Sequence, residues 1–188
     1  MVPAGTVSGF RLEVGAQVTP EQLNQLEAAA NRTAALEHAL RLLDFRARSR
    51  VELERRLLRS GHTPDAVEPA LARCGELGYL DDQMFALSFA RDRLKLRPRG
   101  RRLLMAELRR KGVAQDVAAS AIEEAFAEAD LGEAEFAHQL AHKRLPSIVG
   151  LAQPVARRRL TAYLARRGFP PAIIREAVHR ALADLPTD

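Results

Sequence analysis

A single glycine recurs at the same point in three copies of one helical pattern, and that recurrence limits the chain to a narrow set of folds. The copies are Leu53-Leu57-Gly61-Val67-Leu71, Leu104-Leu108-Gly112-Ala118-Ile122 and Leu160-Leu164-Gly168-Ile174-Val178. In each, apolar residues stand eight and four positions before the glycine and six and ten after it. A spacing of four keeps side chains on one face of an α-helix. A glycine just past a helix adopts positive φ at no steric cost, so it ends one helix and turns the chain into the next. Copies about fifty residues apart describe a tandem helical array. Arrays of this kind bind along extended surfaces and seldom carry out chemistry.

Composition agrees with helix. Of 188 residues, 47% are apolar, while Trp is absent and aromatics make up 5%, so the core must be built mainly from Leu, Ala and Val. Alanine, leucine, arginine and glutamate all favour helix over strand. A lone cysteine, Cys74, rules out an internal disulfide and fits a reducing compartment. No apolar run approaches the roughly twenty residues needed to span a bilayer. Met1 to Gly15 lacks the charged start and apolar centre of a secretory signal. The expectation is a soluble, cytoplasmic protein without a membrane partner.

The expected fold is all-α, three three-helix repeats after a short N-terminal extension whose Val7 to Val14 stretch is the one candidate strand. The boundaries read as 1–34 for the extension and the start of the first helix, then 35–80, 81–131 and 132–188 for the repeats. Thr19-Pro20-Glu21-Gln22 is a helix start, with an N-cap, a proline in the first turn and a glutamine at N3. That helix should run to about Arg46. Ser49 to Glu52 forms a second capping box, Thr63-Pro64 opens the third helix, and Asp81 or Asp82 can cap the helix bearing Phe85 and Phe89. Phe136 and Leu140 take the corresponding face in the third repeat. The connector from Leu145 to Pro154 is longer, with two prolines and a glycine.

Charge follows the repeat. The chain carries 29 Lys and Arg against 24 Asp and Glu, a net charge of +5, and the basic residues gather in the first two helices of each unit. The candidate contacts in the first unit are Arg46, Arg48 and Arg50. In the second they are Arg93, Lys95, Arg97, Arg99, Arg101, Arg102, Arg109, Arg110 and Lys111. In the third they are Lys143, Arg144, Arg157, Arg158, Arg166 and Arg167. Segments after each glycine are neutral or acidic. Stacking like units should merge the basic parts into one electropositive surface for a long anionic partner. Arg97 to Arg102 starts a helix, where cations oppose the macrodipole, so a compensating partner is expected there. Arg55, Arg56 and Arg73 fit equally well as solvated positions paired to glutamates one turn away.

Sites for chemistry are absent from the pattern. There is no phosphate-binding P-loop, no dinucleotide fingerprint and no Gly-x-Ser-x-Gly elbow. Glu135, His138 and His142 share a helical stripe but lack the ligands to complete a zinc shell. Cys74 sits on the apolar stripe with Leu71 and Leu77, as a core residue does. The reading is a non-enzymatic protein with no catalytic, cofactor or metal residues.

The assembled segments resemble the RecX family of regulators of the bacterial recombinase RecA. The resemblance is carried by Arg46-Ala47-Arg48-Ser49-Arg50-Val51-Glu52-Leu53, by Gly78-Tyr79-Leu80-Asp81-Asp82 with Phe85-Ala86, by Gly100-Arg101-Arg102 through Glu107-Leu108-Arg109-Arg110-Lys111-Gly112-Val113, and by Leu164-Ala165-Arg166-Arg167-Gly168-Phe169. It spans about Ala35 to Ala183. It implies a modulator that binds the RecA–DNA filament and inhibits strand exchange, ATP hydrolysis and co-protease activity in DNA repair and recombination. Apart from the resemblance, the arginine pattern gives an accessory, nonspecific affinity for single- and double-stranded DNA, and a monomer is expected. A direct nonspecific DNA binder built from helix-turn-helix-like repeats is the alternative. Residues 1–34 and the long 145–154 connector depart from the family pattern.

Overall fold

The computed structural model describes residues 17–184. Among these residues there are nine α-helices, one short 3₁₀ turn and no strand. The candidate strand at Val7 to Val14 lies outside the described residues. The helices are α1 (Pro20–Phe45), α2 (Arg50–Arg59), α3 (Pro64–Glu76), α4 (Asp82–Leu96), α5 (Arg101–Arg110), α6 (Gln115–Glu128), α7 (Glu133–Arg144), α8 (Gln153–Arg166) and α9 (Pro171–Ala183). No helix is long and apolar enough to cross a membrane. The chain divides at Asp82/Gln83 into two compact units, the first holding α1 to α3 and the second α5 to α9 with nearly all of α4.

The repeating glycines perform the turn that their spacing requires. Gly61, Gly112 and Gly168 have φ of 91°, 83° and 84°. The residue after each glycine donates its N–H to the carbonyl of the leucine five before itself: His62 to Leu57, Val113 to Leu108 and Phe169 to Leu164. Each glycine N–H donates to the carbonyl three residues back, at Leu58, Arg109 and Ala165. This pair of bonds is a Schellman closure, and it satisfies helix-end carbonyls that would otherwise be orphaned. The same leucines drop their side chains into the cores. Leu53, Leu57, Leu104, Leu108, Leu160 and Leu164 are all fully buried.

Unit 1 packs α1 mainly against α3, with α2 crossing both. Its core is Ala39, Leu53, Leu57, Val67, Leu71, Cys74 and Leu80, with a small-residue seam at Ala35, Ala66 and Ala70. Burial pushes the Cys74 thiol pKa up, away from the reactive thiolate. Thr19 and Gln22 form the complete capping box expected at the start of α1, and Ser49 Oγ accepts from the Glu52 N–H to cap α2. Thr63, by contrast, makes no side-chain cap bond, and Pro64 alone pre-shapes the start of α3.

One apolar core runs through unit 2, from Phe85 to Leu182. The edge-to-face contact of Phe126 on Phe136, 5.8 Å between centroids, joins α6 to α7 within it. The connector after α7 is tethered: Leu145 and Ile148 are buried in that core, and Ser147 Oγ donates to the Arg144 carbonyl at 2.8 Å.

An acidic clip recurs at the second helix of two repeats. Asp82 Oδ1 accepts from the Arg50 N–H at 2.8 Å, and Glu133 Oε1 accepts from the Arg101 N–H at 2.9 Å. In both cases the carboxylate lies 32 residues after the amide and opens the first helix of the following repeat. Each supplies an acceptor and a negative charge to a part-buried helix N-terminus. Asp82 therefore serves α2 with its side chain rather than only its own helix. Asp82→Ala is expected to lower stability by about 1 kcal/mol, the usual cost of a lost cap. Asp82→Asn, which keeps an acceptor, should lose less than half of that in urea denaturation.

Candidate functional site

The basic residues anticipated from sequence fall into two physical classes. One class is held by internal carboxylates. In unit 1, Arg46 pairs with Glu52, Arg48 reaches Glu52 at 3.6 Å and the Leu42 carbonyl at 3.2 Å, and Arg50 pairs with Glu68 at 2.6 Å. The Glu52 bond raises the Arg46 pKa. Burial, followed by repulsion from Arg46, lowers that of Arg48. Arg73 meets Glu76 at 2.8 Å, as expected for a solvated pair.

In unit 2 the buried carboxylate of Glu107 gathers three arginines. Arg99 contacts it directly, Arg93 lies at 3.2 Å and Arg110 at 3.9 Å. Arg101 is shared by Glu123 and Glu133, with its guanidinium 4.1 Å over the Phe126 ring. The compensation expected for the Arg97 to Arg102 cluster is thus partly internal, supplied by Glu107, Glu123 and Glu133. Arg93 also stacks on Phe89 at 4.4 Å, and Lys111 lies over Phe85 and Phe89.

The second class faces solvent. Lys95, Arg97, Arg102, Arg109, Lys143, Arg144, Arg157, Arg158 and Arg166 are exposed, and none has a carboxylate partner among the described residues. Within unit 2 the fold brings Arg97, Arg144 and Arg166 of this class together with Arg99, Arg159 and Arg167. Arg97, Arg99, Arg166 and Arg167 line one open cleft with Leu103 and Tyr163. Arg144, Arg159 and Arg166 line an adjoining one of about 360 Å³ with Ser147, Ile148, Ala162 and the same Tyr163. Among the described residues no acidic side chain lines either cleft.

Backbone contacts fix this arrangement. The Gly100 N–H donates to the Arg167 carbonyl at 2.8 Å, and Arg167 Nη1 donates to the Pro98 carbonyl at 3.2 Å. The end of α8 is thereby held against the loop that starts α5. Tyr163 is flanked by two guanidiniums, with Arg167 at 4.7 Å and Arg144 at 5.3 Å from its ring centroid. Burial lowers the Arg99 pKa first, and the positive charges of Arg93, Arg167, Arg97 and Arg110 lower it further.

Arg159 and Tyr163 are the charged and the aromatic cleft residues absent from the sequence-derived contact set. A signal for them exists: Arg159, Tyr163 and Arg167 are four apart, so they share one face of α8. Among the described residues no group of three or more His, Cys, Asp or Glu is placed to hold a metal. His138 instead approaches Glu135 and Asp184, each at 3.8 Å.

The family models for the first, second and third three-helix domains of RecX match residues 35–74, 81–122 and 133–178. The regulatory protein RecX of Pelodictyon phaeoclathratiforme is 35% identical over 139 residues, covering 74% of this chain and 83% of its own length. That of Mycobacterium sp. (strain JLS) is 37% identical over 148 residues, covering 78% and 80%. In fold, the chain is similar to a crystal structure of regulatory protein RecX, with TM-score 0.78 at 21% identity, covering 94% of this chain and 87% of that one. RecX from Lactobacillus salivarius gives TM-score 0.72 at 19% identity, covering 82% and 99%.

Proposed function

Because the chain belongs to the RecX family, whose relatives are named regulatory proteins, we propose that it is a non-enzymatic modulator of the RecA–DNA filament. It acts in the cytoplasm, in DNA repair and recombination. Segments 35–80, 81–131 and 132–188 are its three repeats. The basic face of the second and third engages the filament and suppresses ATP hydrolysis, strand exchange and co-protease activity. One observation carries this reading: arginines of unit 2 gather along two adjoining clefts, and of these only Arg99 is paired with an internal carboxylate among the described residues. Repeated modules on a repeating partner convert weak contacts into avidity.

The experiment measures DNA-dependent ATP hydrolysis by the cognate RecA at fixed, saturating single-stranded DNA. Substoichiometric wild-type protein is expected to inhibit. Replacement of Arg97, Arg159 and Arg166 together by Ala should raise the half-inhibitory concentration at least about tenfold, as the loss of roughly 1.4 kcal/mol of binding would. These three are chosen because Arg99 and Arg101 also hold Glu107, Glu123 and Glu133, so their loss would perturb the fold. Inhibition that appears only once DNA is coated would favour the second reading, a direct nonspecific DNA binder. The absence, among the described residues, of acidic side chains from both clefts is the observation that favours that reading.

A further inference from the structure

Resting on the basic-face reading above, we propose that the two clefts around Tyr163 form one subsite for consecutive phosphodiesters of a nucleic-acid backbone, and that Tyr163 acts as a post positioning arginines rather than as a platform for bases. Arg97, Arg159 and Arg166 supply the contacts to phosphate, while Tyr163 holds Arg144 and Arg167 at the margins.

Three features point to phosphate. First, the clefts share Arg166 and Tyr163, so they form one continuous path. Both are open, lined by arginines and small or neutral groups, and offer no deep apolar hole for a peptide side chain. Second, the cations continue from one cleft into the next, and every nucleotide of a strand carries a phosphate, whereas an extended peptide turns alternate side chains to opposite faces. Third, every cation that lines the path is an arginine. Arginine's planar fork matches phosphate geometry.

The role of Tyr163 follows from what surrounds it. With Arg144 and Arg167 against the ring, base stacking would have to displace a guanidinium already held there. The other aromatics of unit 2 are buried or half-buried in its core: Phe85, Phe126, Phe136 and Phe169 within it, and Phe89 packed against it. The subsite therefore reads charge and spacing, not sequence.

The test uses the full chain and two fluorescein-labelled probes, oligothymidylate and a strand of equal length in which every base is removed. Affinity is measured by anisotropy across a KCl series. Arg159→Ala with Arg166→Ala is expected to flatten the salt slope by about 0.7 for each arginine lost. Tyr163→Leu should weaken both probes equally, by roughly fivefold, and Tyr163→Phe should match wild type on both. Arg73→Ala serves as an unaffected control. A Tyr163→Leu penalty seen only on the base-bearing strand would overturn the positioning role. An unchanged salt slope together with lost inhibition of RecA would overturn the phosphate assignment and leave the basic face standing, with an acidic protein surface as its target. Unchanged slope and unchanged inhibition would remove both.

Discussion

Gly168→Ala is expected to destabilise unit 2 by about 3 kcal/mol, while the same change at Gly61 costs about 1 kcal/mol. The two glycines occupy the same place in their repeats and share the backbone conformation, with φ of 84° and 91°. Any side chain in the left-handed region carries a penalty of about 1 kcal/mol. The difference lies in the surroundings. A Cβ on Gly61 meets nothing within 4 Å, whereas one on Gly168 would press on the Leu103 side chain and stand 2.7 Å from the Leu103 nitrogen. A backbone atom cannot move aside as a flexible side chain can, so overpacking of about 2 kcal/mol adds to the conformational cost. Urea denaturation of the two variants beside wild type checks the contrast, and equal losses would show that the close approach is not tight. Gly100 faces the same junction, with a hypothetical Cβ 2.6 Å from the Gly168 carbonyl carbon. Because this contact sets Arg97 beside Arg166 and Arg167, Gly168→Ala should also weaken binding of an anionic polymer, though the variant removes no charge.

That contrast marks where the sequence is legible and where it is not. Local periodicity is enough to find all three turns, because a Schellman closure needs only a helix end, a glycine and apolar residues at fixed offsets. Periodicity does not distinguish Gly61 from Gly168, since what each glycine faces depends on an element more than sixty residues away in the latter case. The same limit applies to charge. Glu76 lies one turn from Arg73 and pairs with it as local spacing allows, and Arg41–Glu37 is a pair of the same local kind. Arg101–Glu123 and Arg91–Glu128 join residues 22 and 37 apart, and only the packing of α6 on its neighbours brings them together. Asp82 shows the mixed case: its value as a helix-start residue can be read locally, but its acceptance from Arg50 cannot. The basic character of the third repeat was fully visible, and the grouping of Arg159 with Tyr163 was available from i, i+4 spacing. The use of Arg93, Arg99 and Arg101 as internal partners was not.

Glu107→Ala is expected to move stability and anion binding in opposite directions. The carboxylate is only 9% exposed and balances Arg99 and Arg93, whose side chains are 22% and 34% exposed. Removing a buried partner leaves its counter-charges desolvated and mutually repelling, which costs about 3–5 kcal/mol when all are buried. Here the guanidiniums retain some water, so a loss of about 2 kcal/mol is expected. It should shrink as salt screens the arginines. Arg99 lines the cleft beside Arg97 and Arg166, so the same change frees positive charge where the polyanion would bind. Affinity for oligothymidylate should then rise, and its salt slope should steepen by about 0.7 for each arginine released to phosphate. Bound strand should in turn recover part of the lost stability, since a ligand that binds only the folded state shifts the unfolding equilibrium by mass action. Glu107→Gln, which keeps the shape and an acceptor, should fall between the two. A variant that is destabilised but binds no more tightly would mean that Arg99 stays out of the contact. A variant as stable as wild type would mean that the arginines around Glu107 find water without cost.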